Sequence, residues 1–293
     1  MNFLTILLRV RNENLFLESF VKHYFHEGVD EIHILDDNST QRYPEYVSKH
    51  PKVFVYEATH FKSHHEKLID AQLMYDHMLR DKTKWFMFVD ADEFITTRRN
   101  PEKTIREELE TTFKDVDLIK VPWVNFTANG QDENPKRVLV DTTWRWNHDK
   151  KHPHSEEFLK VWKHRGCKYE KIEVKSIFKT EAFAKLTTHC PSLPTREINI
   201  VDGVDRIDNY MGDPETEIWY HNLREECIER AYLTCNHYRN ISKQQMFMKS
   251  DDSHLPLYRV PGAYELQLES DFAEVRDDFI AKKATDRGYY DSE

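Results

Sequence analysis

Hydrophobic and polar positions follow two alternating periods along the first 125 residues. Residues 3–9 are a nearly unbroken apolar run, which predicts a buried strand. Asn14 stands where a helix cap is expected. Leu17, Phe20, Val21, Tyr24 and Phe25 then recur at helical spacing, and Gly28 supplies the stop. Ile32-His33-Ile34-Leu35 predicts a second strand, which ends in the polar turn Asp36-Asp37-Asn38-Ser39. Residues 53–56 predict a third strand, followed by a helix with Leu68, Ala71, Tyr75 and Leu79 on one face. Residues 85–89 predict a fourth strand. Asn100-Pro101 has the form of a helix start for Ile105, Leu109 and Phe113, and residues 118–123 predict a fifth strand.

Strands alternating with helices imply an α/β fold, with a mainly parallel central sheet covered by helices on both faces. Ligands of such sheets bind beyond the carboxyl ends of the strands. Four of those ends are polar here: Arg9 to Glu13, Asp36 to Asn38, residues 60–67, and Asp90 with Asp92. After residue 125 the pattern loosens into a helical and irregular region. Asn129-Gly130 and Asn134-Pro135 predict turns, residues 138–140 a strand, and residues 155–163 a short helix. Residues 147–157 read as a polar surface loop. Residues 225–238 predict a helix with Ile228, Ala231, Tyr232 and Cys235 on one side, and the tail from 264 an amphipathic helix. The whole chain, 1–293, reads as one domain with halves 1–125 and 126–293.

Composition narrows the class. Hydrophobic residues make up 39% of the 293, enough for a sizeable core despite 32% charged residues. A net charge of −10 disfavours nucleic acid as a partner. No window has the length and apolarity of a transmembrane segment, and the first residues lack the basic flank of a signal peptide. The four cysteines show neither C-x-x-C pairing nor zinc spacing, so free thiols in a cytoplasmic protein are expected.

The chemistry concentrates at residues 85–94. An apolar run ends in Asp90-Ala91-Asp92-Glu93, and two carboxylates at the tip of a buried strand are costly unless a cation neutralises them. On an extended chain residues i and i+2 point the same way, so Asp90 and Asp92 can share one hard ion, Mn2+ or Mg2+, that holds substrate phosphates. The competing reading is an acidic turn or helix cap. Glu93 reads as the partner of a basic side chain.

The order Arg11-Asn12-Glu13, Gly28-Val29-Asp30, residues 34–39 and residues 88–94 resembles GT-A glycosyltransferases, in particular the family 2-like and family 92 branch. Pro122-Trp123, Lys175-Ser176-Ile177, His189 and Asn236-His237-Tyr238 add to the likeness. It is dense over 1–126, patchy from 170 to 250, and fails across 127–170 and 190–225. It implies a metal-dependent, inverting transfer of sugar from a UDP- or GDP-sugar to a glycan or other hydroxyl acceptor. Residues 1–125 would form the nucleotide-sugar half and 126–293 the acceptor half. Asp90 and Asp92 would hold the metal with His237 as third ligand, a role for which His189 competes. Asp37 would contact the nucleobase, and Arg11 the base and ribose unless it pairs with Asp36 or Glu13. Lys67, at a helix start, would hold a phosphate or lie solvated. Asp141, Glu156 and Glu157 are candidates for the base, each also readable as surface charge. Trp123, Trp144 and Trp146 could stack on acceptor sugars, though Trp123 also suits the core. Two other readings stay open. A sugar-phosphate nucleotidyltransferase would want a glycine-rich loop after the first strand, absent from Arg9-Val10-Arg11-Asn12-Glu13. A non-catalytic binding module of the same fold is the other.

Overall fold

The computed structural model describes residues 1–60, 64–150, 171–206, 219–221, 223–252, 262–269 and 271–290. Strands β1 (Asn2–Val10), β2 (Glu31–Asp36), β3 (Val53–Glu57) and β4 (Thr83–Phe88) are parallel neighbours in the order β3-β2-β1-β4. The same sheet continues through strands from later in the chain. It takes in β5 (Glu93–Thr97), β6 (Leu118–Asn125), β8 (Lys171–Lys179), β11 (Ile200–Asp202) and β13 (Leu233–His237). β8 runs antiparallel to both β4 and β6, whereas β11 is parallel to β6. This mainly parallel α/β sheet, with its antiparallel interruption after β4, is consistent with a Rossmann-like GT-A architecture. Short strands complete the set: β7 (Trp144–Arg145), β9 (Phe183–Lys185), β10 (Ser192–Pro194), β12 (Trp219–His221) and β14 (Val275–Arg276).

Helix α1 (Asn14–His26) forms where periodicity predicts it. Its N-cap is Glu13 and not Asn14, whose side chain donates to the Arg42 carbonyl at 2.6 Å. Gly28 follows the helix at φ +90°, and a Cβ there would lie 2.6 Å from Arg106 Cβ, so both conformation and packing demand glycine. A brief turn of helix, α2 (Glu45–Ser48), precedes β3, and α3 (His64–Met74) follows it. Ala71, Tyr75 and Leu79 do line one buried face, although the helix passes into a π-turn at Tyr75. Tyr75 packs edge-on against Phe86 at 5.2 Å, and Phe86 against Phe178 at 5.6 Å. Leu7 lies in that cluster, so Leu4, Ile6 and Leu8 face the opposite side of β1. All are 0% exposed, which means that both faces of the sheet are covered. Burying each large side chain contributes on the order of 2–3 kcal/mol.

Several elements differ from the sequence reading. The helix expected at Asn100-Pro101 starts later, as α4 (Ile105–Glu110), because Thr104 and Glu107 form a capping box there. Buried Glu27 accepts the Ile105 N–H at 2.9 Å and so anchors that helix start to the end of α1. Residues 138–140 are not a strand. They belong to the short helix α5 (Val138–Asp141), stabilised by an Arg137–Asp141 pair at 2.9 Å. The helix expected over 225–238 is α6 (Glu225–Arg230) followed by β13, whose side chains are all buried. The tail is divided into Ala263–Glu269, β14 and Phe279–Asp286. The helix expected over 155–163 lies outside the described residues. Among the described residues no helix is long and apolar enough to cross a membrane, and Cys190, Cys227 and Cys235 are free thiols.

By contact, the chain divides into a unit of Met1–Trp123, Glu173–Trp219 and Cys227–Cys235 and a second of Val124–Ile172, Tyr220–Glu226 and Asn236–Glu293. The first holds most of the sheet. In the second, Arg145 is 2% exposed and its guanidinium makes four hydrogen bonds. It donates to Glu225 at 2.5 and 3.1 Å, to Asp277 at 2.7 Å and to the Trp146 carbonyl at 2.9 Å. This one side chain thereby fastens β7 to α6 and to the segment after β14.

Candidate functional site

The carboxyl ends of β1, β2 and β3 are tied into one rim within the first unit. Arg9, the penultimate residue of β1, reaches Asp37 Oδ1 at 3.0 Å and the His60 carbonyl at 2.8 Å. Its guanidinium also lies 3.9 Å from Asp70 on α3. Asn12 and Asn38 both sit in the left-handed region, at φ +54° and +59°, which asparagine tolerates better than most residues. Asn12 Oδ1 accepts from the Thr40 N–H at 2.8 Å, and Asp36 Oδ1 from the Ser39 N–H at 2.8 Å. Sequence positions far apart are thus locked into fixed loops above the sheet.

Asp70 terminates the rim. Its carboxylate accepts the Thr59 N–H at 2.9 Å, the Thr59 hydroxyl at 2.7 Å and the His60 N–H at 2.8 Å. His60 Nδ1 lies 2.8 Å from its other oxygen. Burial alone would raise the Asp70 pKa, but the bonds from His60 and Thr59 outweigh it and hold the carboxyl down at about 2.

At β4 the chain turns tightly, closed by the Glu93 N–H donating to the Asp90 carbonyl at 3.1 Å. Asp90 and Asp92 are therefore placed on a turn and not on the extended chain assumed from their spacing. Asp90 is 52% exposed, whereas Asp92 is buried. Behind them lies a cation that sequence reading did not place: Lys175 on β8, 1% exposed. Its ammonium donates to Asp90 Oδ2 at 3.1 Å and to the Thr188 carbonyl at 3.0 Å, and pairs with Glu93 Oε2 at 3.1 Å. Burial disfavours this charge, but Asp90 and Glu93 outweigh it and keep the lysine protonated well above its ordinary range. Burial pushes the Glu93 carboxyl up, against the pull of Lys175. Tyr24 secures the strand behind the turn, donating to the Glu93 carbonyl at 2.9 Å and accepting from the Ile95 N–H at 3.0 Å.

The corner sets a half-exposed and a buried aspartate beside a buried lysine. Among the described residues no group of three His, Cys, Asp or Glu side chains is arranged to hold a metal. Ions that bind through one or two carboxylates plus phosphate oxygens need no such group. Lys175 engages Asp90 Oδ2, and the Asp90 side chain is half-exposed.

The remaining sequence candidates have diverse surroundings. Arg11 donates to the Asp37 carbonyl at 3.4 Å. Asp37 itself is 1% exposed beside Arg9. Lys67 lies in the first turn of α3, where side chains fall outside the described residues, as do Glu156 and Glu157. Asp141 is bound by Arg137 through both the guanidinium and the backbone N–H. His237 ends β13, buried, with Nδ1 3.2 Å from Asn125 Oδ1. His189 Nδ1 lies 2.9 Å from the Val174 carbonyl, and its ring tilts against Trp123 at 5.5 Å. Trp123 is buried in the core. Lys175 carried one local signal, its place in Lys175-Ser176-Ile177.

No protein-family model and no curated protein matches the sequence. A mannosyltransferase from Pyrobaculum calidifontis, solved with GDP-Man and Mn2+, is similar at 17% identity and a TM-score of 0.30, over 41% of this chain and 35% of its own. Glucosyl-3-phosphoglycerate synthase from Mycobacterium tuberculosis, solved with Mn2+, UDP-glucose and phosphoglyceric acid, is similar at 13% identity and a TM-score of 0.34, over 63% of this chain and 59% of its own. 4-Diphosphocytidyl-2C-methyl-D-erythritol synthase from Anaerococcus prevotii is similar at 8% identity and a TM-score of 0.31, over 77% and 93%. The chain thus spans about a third of the first of these proteins and about three fifths of the second. Residue roles rest on the geometry above.

Proposed function

We propose that the chain is a metal-dependent glycosyltransferase of GT-A type. It would move a sugar from a nucleotide-diphosphate sugar, UDP- or GDP-linked, to a hydroxyl of a glycan acceptor, with inversion at the anomeric carbon. One observation carries the reading: the polar ends of three parallel strands are fastened into one rim, and β4, the parallel neighbour of β1, leads into a half-exposed aspartate backed by a buried lysine. In the transfer the bond from anomeric carbon to diphosphate breaks and negative charge grows on the leaving group. A divalent ion, when bound, neutralises that charge as a Lewis acid. Asp90 and Asp92 would hold the ion. Lys175 keeps Asp90 in place, and its positive charge offsets part of the carboxylate repulsion at the corner. Arg11, with Arg9 and Asp37 beside it, would border the nucleoside. The acceptor proton would pass to a carboxylate base other than Asp141, which is held by Arg137.

Asp92→Ala tests the assignment. The variant is expected to fold as the wild type does by circular dichroism and to lose at least about a hundredfold in Mn2+-dependent nucleotide release, the scale of a lost electrostatic stabiliser. Unchanged release would remove Asp92 from the site.

A further inference from the structure

The rim holds a second polar arrangement, at the end of β3, that the metal corner does not use. Every bond of the Asp70 carboxylate converges on residues 59 and 60: two backbone N–H groups, the Thr59 hydroxyl, and His60 Nδ1. Arg9 takes the His60 carbonyl from the other side. The residue is thus clamped at N–H, C=O and ring nitrogen, yet its side chain is 41% exposed. An ionised carboxylate only accepts, so the Nδ1 facing it must carry the proton. With the proton on Nδ1, Nε2 is the ring's remaining acceptor position, the arrangement by which carboxylates orient functional histidines.

Position suggests what it accepts from. In the order β3-β2-β1-β4 the ends of β3 and β4 are three strand spacings apart, about 14 Å. A nucleoside whose diphosphate rests at Asp90 would extend across β1 and β2 towards β3. At that end Asp37 is buried against Arg9, whereas the His60 ring is exposed.

We infer that His60 reads the nucleobase edge, its Nε2 accepting the ring N–H of uracil or guanine, with Asp70 as the positioning residue that fixes the tautomer. The inference rests on the nucleotide-sugar reading above. It adds a base-selecting contact, because cytosine and adenine carry a bare acceptor nitrogen at the corresponding ring position.

Calorimetry with Mn2+ and UDP, GDP, CDP, ADP or pyrophosphate tests it on wild type, His60→Ala and Asp70→Asn. Wild type should bind UDP or GDP at least about tenfold tighter than CDP and ADP, and tighter by the same factor than the preferred ligand methylated at its ring N–H. His60→Ala should bind the parent and methylated nucleotides equally, while its pyrophosphate affinity matches wild type. Asp70→Asn should show the same pattern, with the double variant no worse than either single one. Retained discrimination in His60→Ala would overturn the inference. So would an equal loss of pyrophosphate affinity, which would place His60 on the phosphates or in the fold. Failure of wild type to bind any nucleoside diphosphate would overturn both this inference and the transferase reading, an outcome distinct from a silent His60.

Discussion

Lys175→Met is expected to cost about 3–5 kcal/mol of stability, the scale seen when one partner of a buried ion pair is removed. The ammonium gives its three hydrogen-bond directions to Asp90, Glu93 and Thr188, and it is 1% exposed. Methionine fills the volume but leaves Glu93, itself 0% exposed, without its cation. Thermal melts should register a Tm lower by roughly 10 °C, and urea melts a lower midpoint. The paired variant Lys175→Met with Glu93→Gln separates the two duties of the lysine. A neutral amide at 93 removes the stranded charge, so much of the stability should return. Asp90 is still unheld, so Mn2+–nucleotide affinity should stay at least about tenfold below wild type. Recovery of both properties would reduce Lys175 to the counter-ion of Glu93.

Arg145→Met should have a loss of similar size, about 3–5 kcal/mol, in the second unit. The guanidinium joins Glu225, Asp277 and the Trp146 carbonyl. The effect carries a pH signature. Burial would raise the Glu225 pKa, but bonds from His148 and Arg145 outweigh it and hold the carboxyl far below the usual range. A carboxyl depressed on folding stabilises above its unfolded pKa, near 4.3, and that stability is lost as pH falls through the folded value. Wild type should therefore lose stability on acidification below about pH 4. The variant, whose Glu225 lacks its arginine, should lose less, and urea melts at pH 7 and pH 3.5 should show the gap narrowing. A gap independent of pH would contradict the ion-pair account.

The first four strands and α1 were legible because buried parallel strands read as apolar runs and an amphipathic helix shows its period. Where the reading failed, long-range sheet pairing or a local ion pair overrode the apolar pattern. Ile228, Tyr232 and Cys235 fit a helical face, yet residues 233–237 pair within the central sheet and the helix ends at Arg230. Residues 138–140 are β-branched or apolar, but the Arg137–Asp141 pair closes a helical turn around them. The acidic pair at 90 and 92 was visible from spacing. Its setting was not, because the cation that engages Asp90 and Glu93 is Lys175, 85 residues downstream of Asp90. Likewise Asp37 reads as a free acidic residue in a turn, and only the fold reveals Arg9 against it.

The central claim is that this rim binds and cleaves a nucleotide-diphosphate sugar. Its most direct test is nucleotide release from a panel of UDP-, GDP-, CDP- and ADP-sugars, with Mn2+ or with EDTA and with mixed glycan acceptors. The account predicts release from a UDP- or GDP-sugar that requires the metal and disappears in Asp92→Ala. No metal-dependent release from any donor, together with no nucleotide binding by calorimetry, would contradict it.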